Sequence, residues 1–337
     1  MSQISNTPSL IQVRDAPAIP GLTFRRFRGE DDYIVMVAIL DACNVADHLD
    51  YINTVEEIAA VFTHLTNCDP YCAMLFAQVG DETIAFGRVW WVEESATLRL
   101  YIPLGFVRPD WRRQGLGTAM LRHNENHLRE IARDHAAPEK IFRTWATDQE
   151  HGALALFAQA GYAPVRNYIM MSRPIDAPLP DAPMPEGLEV RPVQANHIRA
   201  IWDAKEEARR DHWDYRTATE QDYHRWTTSR VFAPELWQVA WDGDQVAGMV
   251  LNRLDRKQNE KYQRKRGYTQ DIFVRRPWRR RGLARALLVQ SIAIFEEMGM
   301  EETALGVDTQ NPHGALNLYE SVGYREIKQH TFFNKPM

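Results

Sequence analysis

The sequence predicts two successive α/β modules of one design. Three observations predict it. A turn of the form Arg-Arg-x-Gly-x-small occurs twice, the same order of elements surrounds each copy, and a proline-rich stretch lies between them. The turn reads Arg112-Arg113-Gln114-Gly115-Leu116-Gly117 first and Arg279-Arg280-Arg281-Gly282-Leu283-Ala284 second. Each copy follows an apolar, β-rich run and opens an amphipathic helical run. Such a junction gathers free backbone N–H groups at a helix N-terminus, a ready site for phosphate or pyrophosphate. Neither turn ends in the Gly-Lys-Ser/Thr of a Walker loop, and neither has the full dinucleotide glycine pattern.

The elements run in parallel along the two halves. Leu22-Thr-Phe-Arg-Arg-Phe and Leu188-Glu-Val-Arg-Pro-Val read as opening strands. Helical stretches follow at 32–45 and 55–65, and at 197–213 and 219–229. Two hairpins come next, one turning at Gly80-Asp81 and one at Asp242-Gly243-Asp244. Gly and Asp suit the positive φ of such turns. A third strand leads into each glycine turn, at 96–107 and 267–274, and a long helix leaves it, at 115–135 and 282–298. A strand, a short helix and a final strand complete each half. The short helices nearly repeat: His151-Gly-Ala-Leu-Ala-Leu-Phe157 with Gly161-Tyr162, then His313-Gly-Ala-Leu-Asn-Leu-Tyr319 with Gly323-Tyr324. An internal repeat of this length implies a duplicated unit.

The stretch Asp176 to Gly187 carries four prolines at near-alternate positions and reads as a linker. The expected organisation is an N-terminal extension 1–20, a first domain 21–175, the linker 176–187 and a second domain 188–337.

Composition narrows the function. The 337 residues are 45% hydrophobic and 25% charged, enough for two cores. The net charge of -5 argues against a polyanion binder acting through its overall field. Three cysteines, Cys43, Cys68 and Cys72, form no disulfide framework or zinc set, which points to a reducing compartment and to no metal. Residues 1–20 lack the apolar core of a signal peptide, and no apolar stretch is long enough to cross a bilayer. A cytoplasmic protein is expected, a monomer or homodimer, without membrane or nucleic-acid partners. The basic run from Arg256 to Arg266, with Tyr262 inside it, could bind nucleic acid. More simply, it serves a ligand phosphate or caps the entrance to the site.

With these residues in view, the chain resembles a tandem member of the GNAT acetyltransferase superfamily. The resemblance rests on Val107-Arg-Pro-Asp-Trp-Arg-Arg-Gln-Gly-Leu-Gly117, on Val274-Arg-Arg-Pro-Trp-Arg-Arg-Arg-Gly-Leu-Ala284, and on Asn311 with Ala315-Leu-Asn-Leu-Tyr-Glu-Ser-Val-Gly-Tyr324. It covers nearly all of residues 22–336. The two-domain layout is similar to that of mycothiol synthases; the likeness is one of layout. The resemblance implies an α/β (α+β) fold of two GNAT-like domains, each a mixed, mostly antiparallel sheet flanked by helices. It also implies acetyl-CoA as cofactor.

Residue roles follow from the resemblance. The strand backbone at Ile272, Phe273 and Val274, and at Phe106 and Val107, would pair with the pantetheine arm. The amides of Arg279, Arg280, Arg281, Gly282, Leu283 and Ala284 would hold the pyrophosphate, as would those of Arg112, Arg113, Gln114, Gly115, Leu116 and Gly117. Asn311 matches the family asparagine that bonds the pantetheine arm; the first half has Gln149 there. Tyr319 takes the place of the tyrosine that protonates the departing thiolate. A phenol, with a pKa of about 10, carries a proton at neutral pH, and a thiolate with a conjugate pKa of about 8.5 gains from a donor. The first half has Phe157 at that place, so its domain is expected to bind acetyl-CoA without catalysis or to serve as a scaffold.

For a general base the family glutamate aligns near Tyr268. Asp271, Asp308 and a water relay remain as candidates. The acceptor pocket is expected among Trp202, Asp203, Glu206, Asp211, His212, Trp213 and Tyr215, with His212 and His313 as further ligand or base candidates. The expected activity is direct transfer of acetyl to a small-molecule amine. A non-catalytic acyl-CoA-binding or regulatory protein, and an enzyme acting on a protein amine, are the alternatives.

Overall fold

The computed structural model describes residues 11–95, 97–212, 215, 217–311 and 314–337. The chain divides into two compact units, Met1–Arg166 with His330–Met337, and Asn167–Gln329. The first half contributes β1 (Leu22–Arg25), α1 (Asp31–Ala46), α2 (Val55–Thr63) and the short α3 (Pro70–Ala73). The hairpin β2 (Met74–Val79) and β3 (Glu82–Glu93) follows, then β4 (Leu98–Val107), α4 (Leu116–Ala132), β5 (Glu139–Thr147) and α5 (His151–Gln159). Next come β6 (Ala163–Pro174), β7 (Glu189–Val190), α6 (Ile198–Arg209) and α7 (Glu220–Thr227). The hairpin β8 (Gln238–Asp242) and β9 (Gln245–Arg253) leads to α8 (Arg256–Lys261) and β10 (Arg266–Val274). The chain closes with α9 (Leu283–Glu297), β11 (Glu302–Asp308), α10 (Ala315–Ser321) and β12 (Arg325–Pro336).

In the first unit the strand order is β1-β2-β3-β4-β5-β12. Pairings are antiparallel except β4 with β5. One face packs α1 and α2 through Met36, Ile39 and Ile58; the other packs α4 and α5 through Leu121, Leu128 and Phe157. The second unit repeats this with β7-β8-β9-β10-β11-β6, parallel at β10 with β11. Ile201 of α6 and Leu287 and Ile292 of α9 face its two cores. The alternation read in the strands and the helical spacing read in the runs therefore place apolar groups inward on both faces.

The units part at Arg166/Asn167, whereas the sequence reading divides the chain at 176–187. The last strand explains the difference. β12, read as the end of the second domain, pairs along His330–Pro336 with β5 of the first unit. β6, read as the end of the first, pairs along Tyr168–Pro174 with β11 of the second. The linker is bound within the second unit. Arg173, fully buried, donates from Nη1 to the carbonyls of Pro174 (2.7 Å) and Ile175 (3.3 Å), and from Nη2 to those of Ala177 and Pro178 (3.1 Å). The described part of the N-terminal extension belongs to the first unit: the Ile11 N–H donates to the Phe24 carbonyl at 2.9 Å, and Val13 is buried.

Gly267 in β10 is fixed by packing. A Cβ there would lie 2.4–2.6 Å from ring atoms of the buried Phe295 on α9. Gly267→Ala must push that ring aside, and overpacking costs about 1–3 kcal/mol. A lowered urea midpoint is expected; an unchanged midpoint would show that α9 yields freely.

Candidate functional site

In the second unit, β10 follows β9 throughout but pairs with β11 only where Arg266–Tyr268 face Glu302–Ala304. A bulge at Asp271, whose φ is +48°, separates the paired residues Gln270 and Ile272. Aspartate tolerates this left-handed conformation better than most residues. β10 and β11 part after Tyr268, ahead of the bulge. Ile272, Phe273 and Val274 then border a cavity of about 790 Å³ whose far wall includes Leu305, Gly306 and Val307.

The glycine turn closes one end. Trp278 donates from Nε1 to Asp242 at 2.8 Å, and Arg279 donates from Nε to the Val274 carbonyl at 2.9 Å. Arg279 also holds Asp211 through Nη1 at 2.7 Å. Arg280 (φ +59°) and Gly282 (φ +85°) turn the chain into α9, whose N-terminus has no side-chain cap. The first intrahelical bond runs from the Ala286 N–H to the Gly282 carbonyl, so the amides before it carry no helical partner. Arg280 lines the cavity and makes no hydrogen bond or ion pair with a described residue. Arg279, Gly282, Leu283 and Ala284 line it too, but Arg281 turns away and donates to the Glu186 carbonyl at 2.9 Å.

The first unit repeats the arginine contacts of this construction. Arg112 donates from Nε to the Val107 carbonyl at 3.1 Å and pairs in two-pronged fashion with Asp47 at 2.6 and 2.7 Å. Arg113 has φ +64° and Gly115 has φ +86°. Phe106, Val107, Arg112, Arg113, Gly115 and Gly117 line a cavity of about 720 Å³; Gln114 and Leu116 do not, and Leu116 is core. Asp47 and Asp211 are thus equivalent anchors of the turn. This differs from the acceptor role read for Asp211. Hydrogen bonds from Arg276 and then Arg279 hold its carboxyl well below the usual carboxylate range.

At the other side of the second cavity stands α10. Its Tyr319 is 7% exposed and lines the cavity, and its hydroxyl has no hydrogen-bond partner among the described residues. Burial pushes the phenol up, and the neighbouring Tyr324 adds to this. The Tyr324 hydroxyl is engaged by Thr269 at 2.9 Å and Thr303 at 3.3 Å. Asn311 lines the cavity, its N–H on the Asp308 carbonyl at 3.1 Å. Asp308 is buried and accepts the Gln310 N–H at 3.0 Å. Asp271 lies 3.4 Å from the ammonium of Lys205, which sits over the rings of Trp202 and Trp226. In the first unit Phe157 takes the place of Tyr319 and packs on Tyr162 and Phe333.

Of the residues read for the acceptor, His212 lines the cavity and meets the Phe273 ring edge-on at 5.9 Å. Trp202 packs against Tyr223 and Trp226, and Asp203 is exposed beside Arg199. Trp213 and His313 lie outside the described residues. The basic run read as a loop is partly helical, as α8. It precedes the start of β10, while the glycine turn follows its end, a separation of roughly 25 Å along the strand. Its residues are engaged locally: Arg264 donates to the Tyr268 hydroxyl at 3.0 Å, and Arg266 pairs with Glu302 at 2.7 Å. That distance separates it from the glycine turn. The reading missed Arg253, Thr269, Gln270 and Arg285 in the cavity wall, and Tyr168 and Met170 of β6. No sequence signal marks the last two, because β6 follows the other repeat.

Among the described residues no group of three metal-ligating side chains converges, and no helix is long and apolar enough to cross a membrane. The model of the Acetyltransferase (GNAT) family matches residues 37–162 and again 199–324. The chain is similar to the mycothiol acetyltransferase of Thermomonospora curvata, 28% identical over 232 residues that cover 68% of this chain and 72% of that one. It is as similar to that of Thermobispora bispora, 28% identical over 219 residues, covering 65% and 70%. Among solved structures it resembles a GCN5-related N-acetyltransferase from Sphaerobacter thermophilus, with a TM-score of 0.70, 26% identity and coverage of 95% and 96%. A tandem GNAT protein from the clavulanic acid biosynthesis pathway shares the fold, at TM-score 0.65 and 13% identity over 94% and 98% of the chains. With a domain match in each half, the chain belongs to the GNAT family of acetyltransferases and is a tandem-domain acyltransferase.

Proposed function

We propose that the chain moves acetyl from acetyl-CoA to the amine of a small molecule by direct attack, with the chemistry in the second unit. One observation carries this reading. The second cavity joins an amide-rich turn at Gly282 to the unpartnered hydroxyl of the buried Tyr319, whereas the first has the same turn and Phe157. The first unit is then a binding or scaffold domain. The relatives named mycothiol acetyltransferase support a small-molecule acceptor.

The residues fit the ligand. Free amides at the start of α9 and the unpaired Arg280 suit a diphosphate. The open edge of Ile272–Val274 suits the amides of pantetheine, and Asn311 borders the same channel. Acetyl-CoA supplies the activated thioester. Tyr319 holds its proton at Oη for the leaving thiolate. Asp271 and Asp308 both border the cavity and are the base candidates, through water or directly; Asp271 faces the Lys205 ammonium and Asp308 accepts the Gln310 amide. Release of free thiol from acetyl-CoA across a panel of small amines tests the reading. Transfer to protein amines alone would replace it, and no release with any amine would leave a binding protein.

Asp211 holds the turn from outside. Asp211→Asn is expected to weaken CoA binding roughly tenfold, the scale of a charge-assisted hydrogen bond. The sign of the pH effect follows from its lowered pKa. The clamp is complete above the ordinary carboxylate value of about 4 and is lost only as pH falls through the lower folded value. CoA affinity should therefore show no Asp211 titration between about pH 5 and 8. Calorimetric titration of both proteins checks this, and equal affinities would assign the turn's order to its backbone alone.

A further inference from the structure

The first unit's cavity holds a cation that the transfer chemistry does not use. Arg88 lies on β3 opposite Leu104 of β4 and lines the cavity. Its Nε is buried without a hydrogen-bond partner, and the side chain makes no hydrogen bond or ion pair with any described residue. Its guanidinium rests on rings alone, 5.7 Å from the Phe62 centroid and 4.7 Å from that of Trp90. Other arginines of this unit are matched: Arg25 with Asp32 and Arg112 with Asp47.

Energetics set this residue apart. Contacts with ring faces compensate a guanidinium charge only in part. Drawing a charge away from water is unfavourable unless an opposite charge or a full set of hydrogen bonds replaces the water. Burial accordingly lowers the pKa of this guanidinium, with only the thiol of Cys68 opposing. Arg88 is only partly buried and no carboxylate of the described residues meets it, so an anion entering the cavity would find the guanidinium charge uncompensated. The carboxylates on the cavity wall are engaged elsewhere: Asp47 with Arg112, and Glu150 with the Thr147 N–H at 2.7 Å. Glu57 has interactions of its own, none with Arg88. The cavity wall carries apolar side chains, Met36, Leu40, Ile58, Phe62, Phe86 and Leu104, together with uncharged polar ones such as Asn53, Asn124 and Thr144. Aligning the strands at their turns, Val107 opposite Ala85 and Val274 opposite Gly248, sets Leu251 of the second unit where the first has Arg88. The arginine is therefore particular to the first cavity.

We propose that the first unit's cavity binds an apolar-bodied carboxylate, with Arg88 as its counter-ion. The proposal is independent of acetyl transfer in the second unit. The carboxylate could be that of a free acid, or could end the acyl chain of a CoA thioester held at the Gly115 turn. Isothermal titration of the full chain distinguishes the two sources. One arm compares phenylacetate with phenylacetamide; the other compares glutaryl-CoA with butyryl-CoA. In at least one arm the charged ligand is expected to bind tenfold or more tightly than its neutral counterpart. Arg88→Met is expected to abolish that preference, and Arg88→Gln serves as the second variant should Met disturb the packing. Equal binding within both pairs, no binding in either, or a preference that survives both substitutions would overturn the proposal.

Discussion

Replacing Tyr319 by Phe is expected to lower acetyl transfer by about 10²–10⁴-fold, the range of a general acid, while CoA affinity stays nearly unchanged. The substitution removes one oxygen from a ring that remains packed. Tyr319 is buried beside Tyr324, and its hydroxyl makes no bond to a described residue that its loss would break. Stability should therefore barely move, which separates a chemical role from a structural one. The pH dependence has a definite sign. An acid works while protonated, and burial raises this phenol above its ordinary value of about 10. Tyr319 thus keeps its proton throughout the neutral and mildly alkaline range. The profile of Tyr319→Phe should run below that of the parent by a constant factor, without a shifted limb. Steady-state kinetics from about pH 6 to 9 with calorimetric CoA titration checks both parts. Unaltered turnover, or an equal loss of CoA affinity, would remove Tyr319 from the proton-transfer step.

The second large effect concerns the chain's last residues. Deleting His330–Met337 should destabilise the first unit by several kcal/mol, although these residues end the sequence half that forms the other unit. The segment supplies the whole paired length of β12 against β5. It brings Phe333 into the core beside Phe157, and Phe→Ala truncations of that kind alone cost about 3–5 kcal/mol. It also brings Lys335, whose ammonium lies 2.8 Å from both carboxylate oxygens of the buried Glu125. Without it, Glu125 keeps Tyr162 and Arg129 but loses its closest cation. Removing one partner of a buried ion pair is strongly destabilising. Hydrogen exchange should lose protection in β5, with α9 of the second unit still protected. Retained protection in β5 would show that β12 adds little to the first unit.

These two cases mark what the sequence could and could not convey. The duplicated design was legible because its signals are local. Apolar spacing gave the helices and strands, and the two glycine turns share one backbone course, with positive φ at Arg113 and Gly115 and at Arg280 and Gly282. The placement of Tyr319 and Asn311 at the cavity followed from the repeat and the family resemblance. The exchange of final strands was not legible. β6 and β12 have the same length and similar alternation, and either would satisfy either sheet by local pattern. Their partners are a tertiary choice, so Tyr168 and Met170 could not be foreseen in the second cavity. The bulge at Asp271 was hidden because neither Gly nor Pro marks it. The anchoring of the turn by Asp211 was not legible, because an acidic residue after a helix looks alike whether it faces a pocket or an arginine.

A structure of the full chain crystallised with coenzyme A tests the central claim most directly. The account predicts diphosphate on the amides of Gly282, Leu283 and Ala284, and the Tyr319 hydroxyl within hydrogen-bonding reach of the sulfur, about 3.5 Å. Coenzyme A bound in the first unit only, or a sulfur remote from Tyr319 with the diphosphate seated in the second, would contradict it.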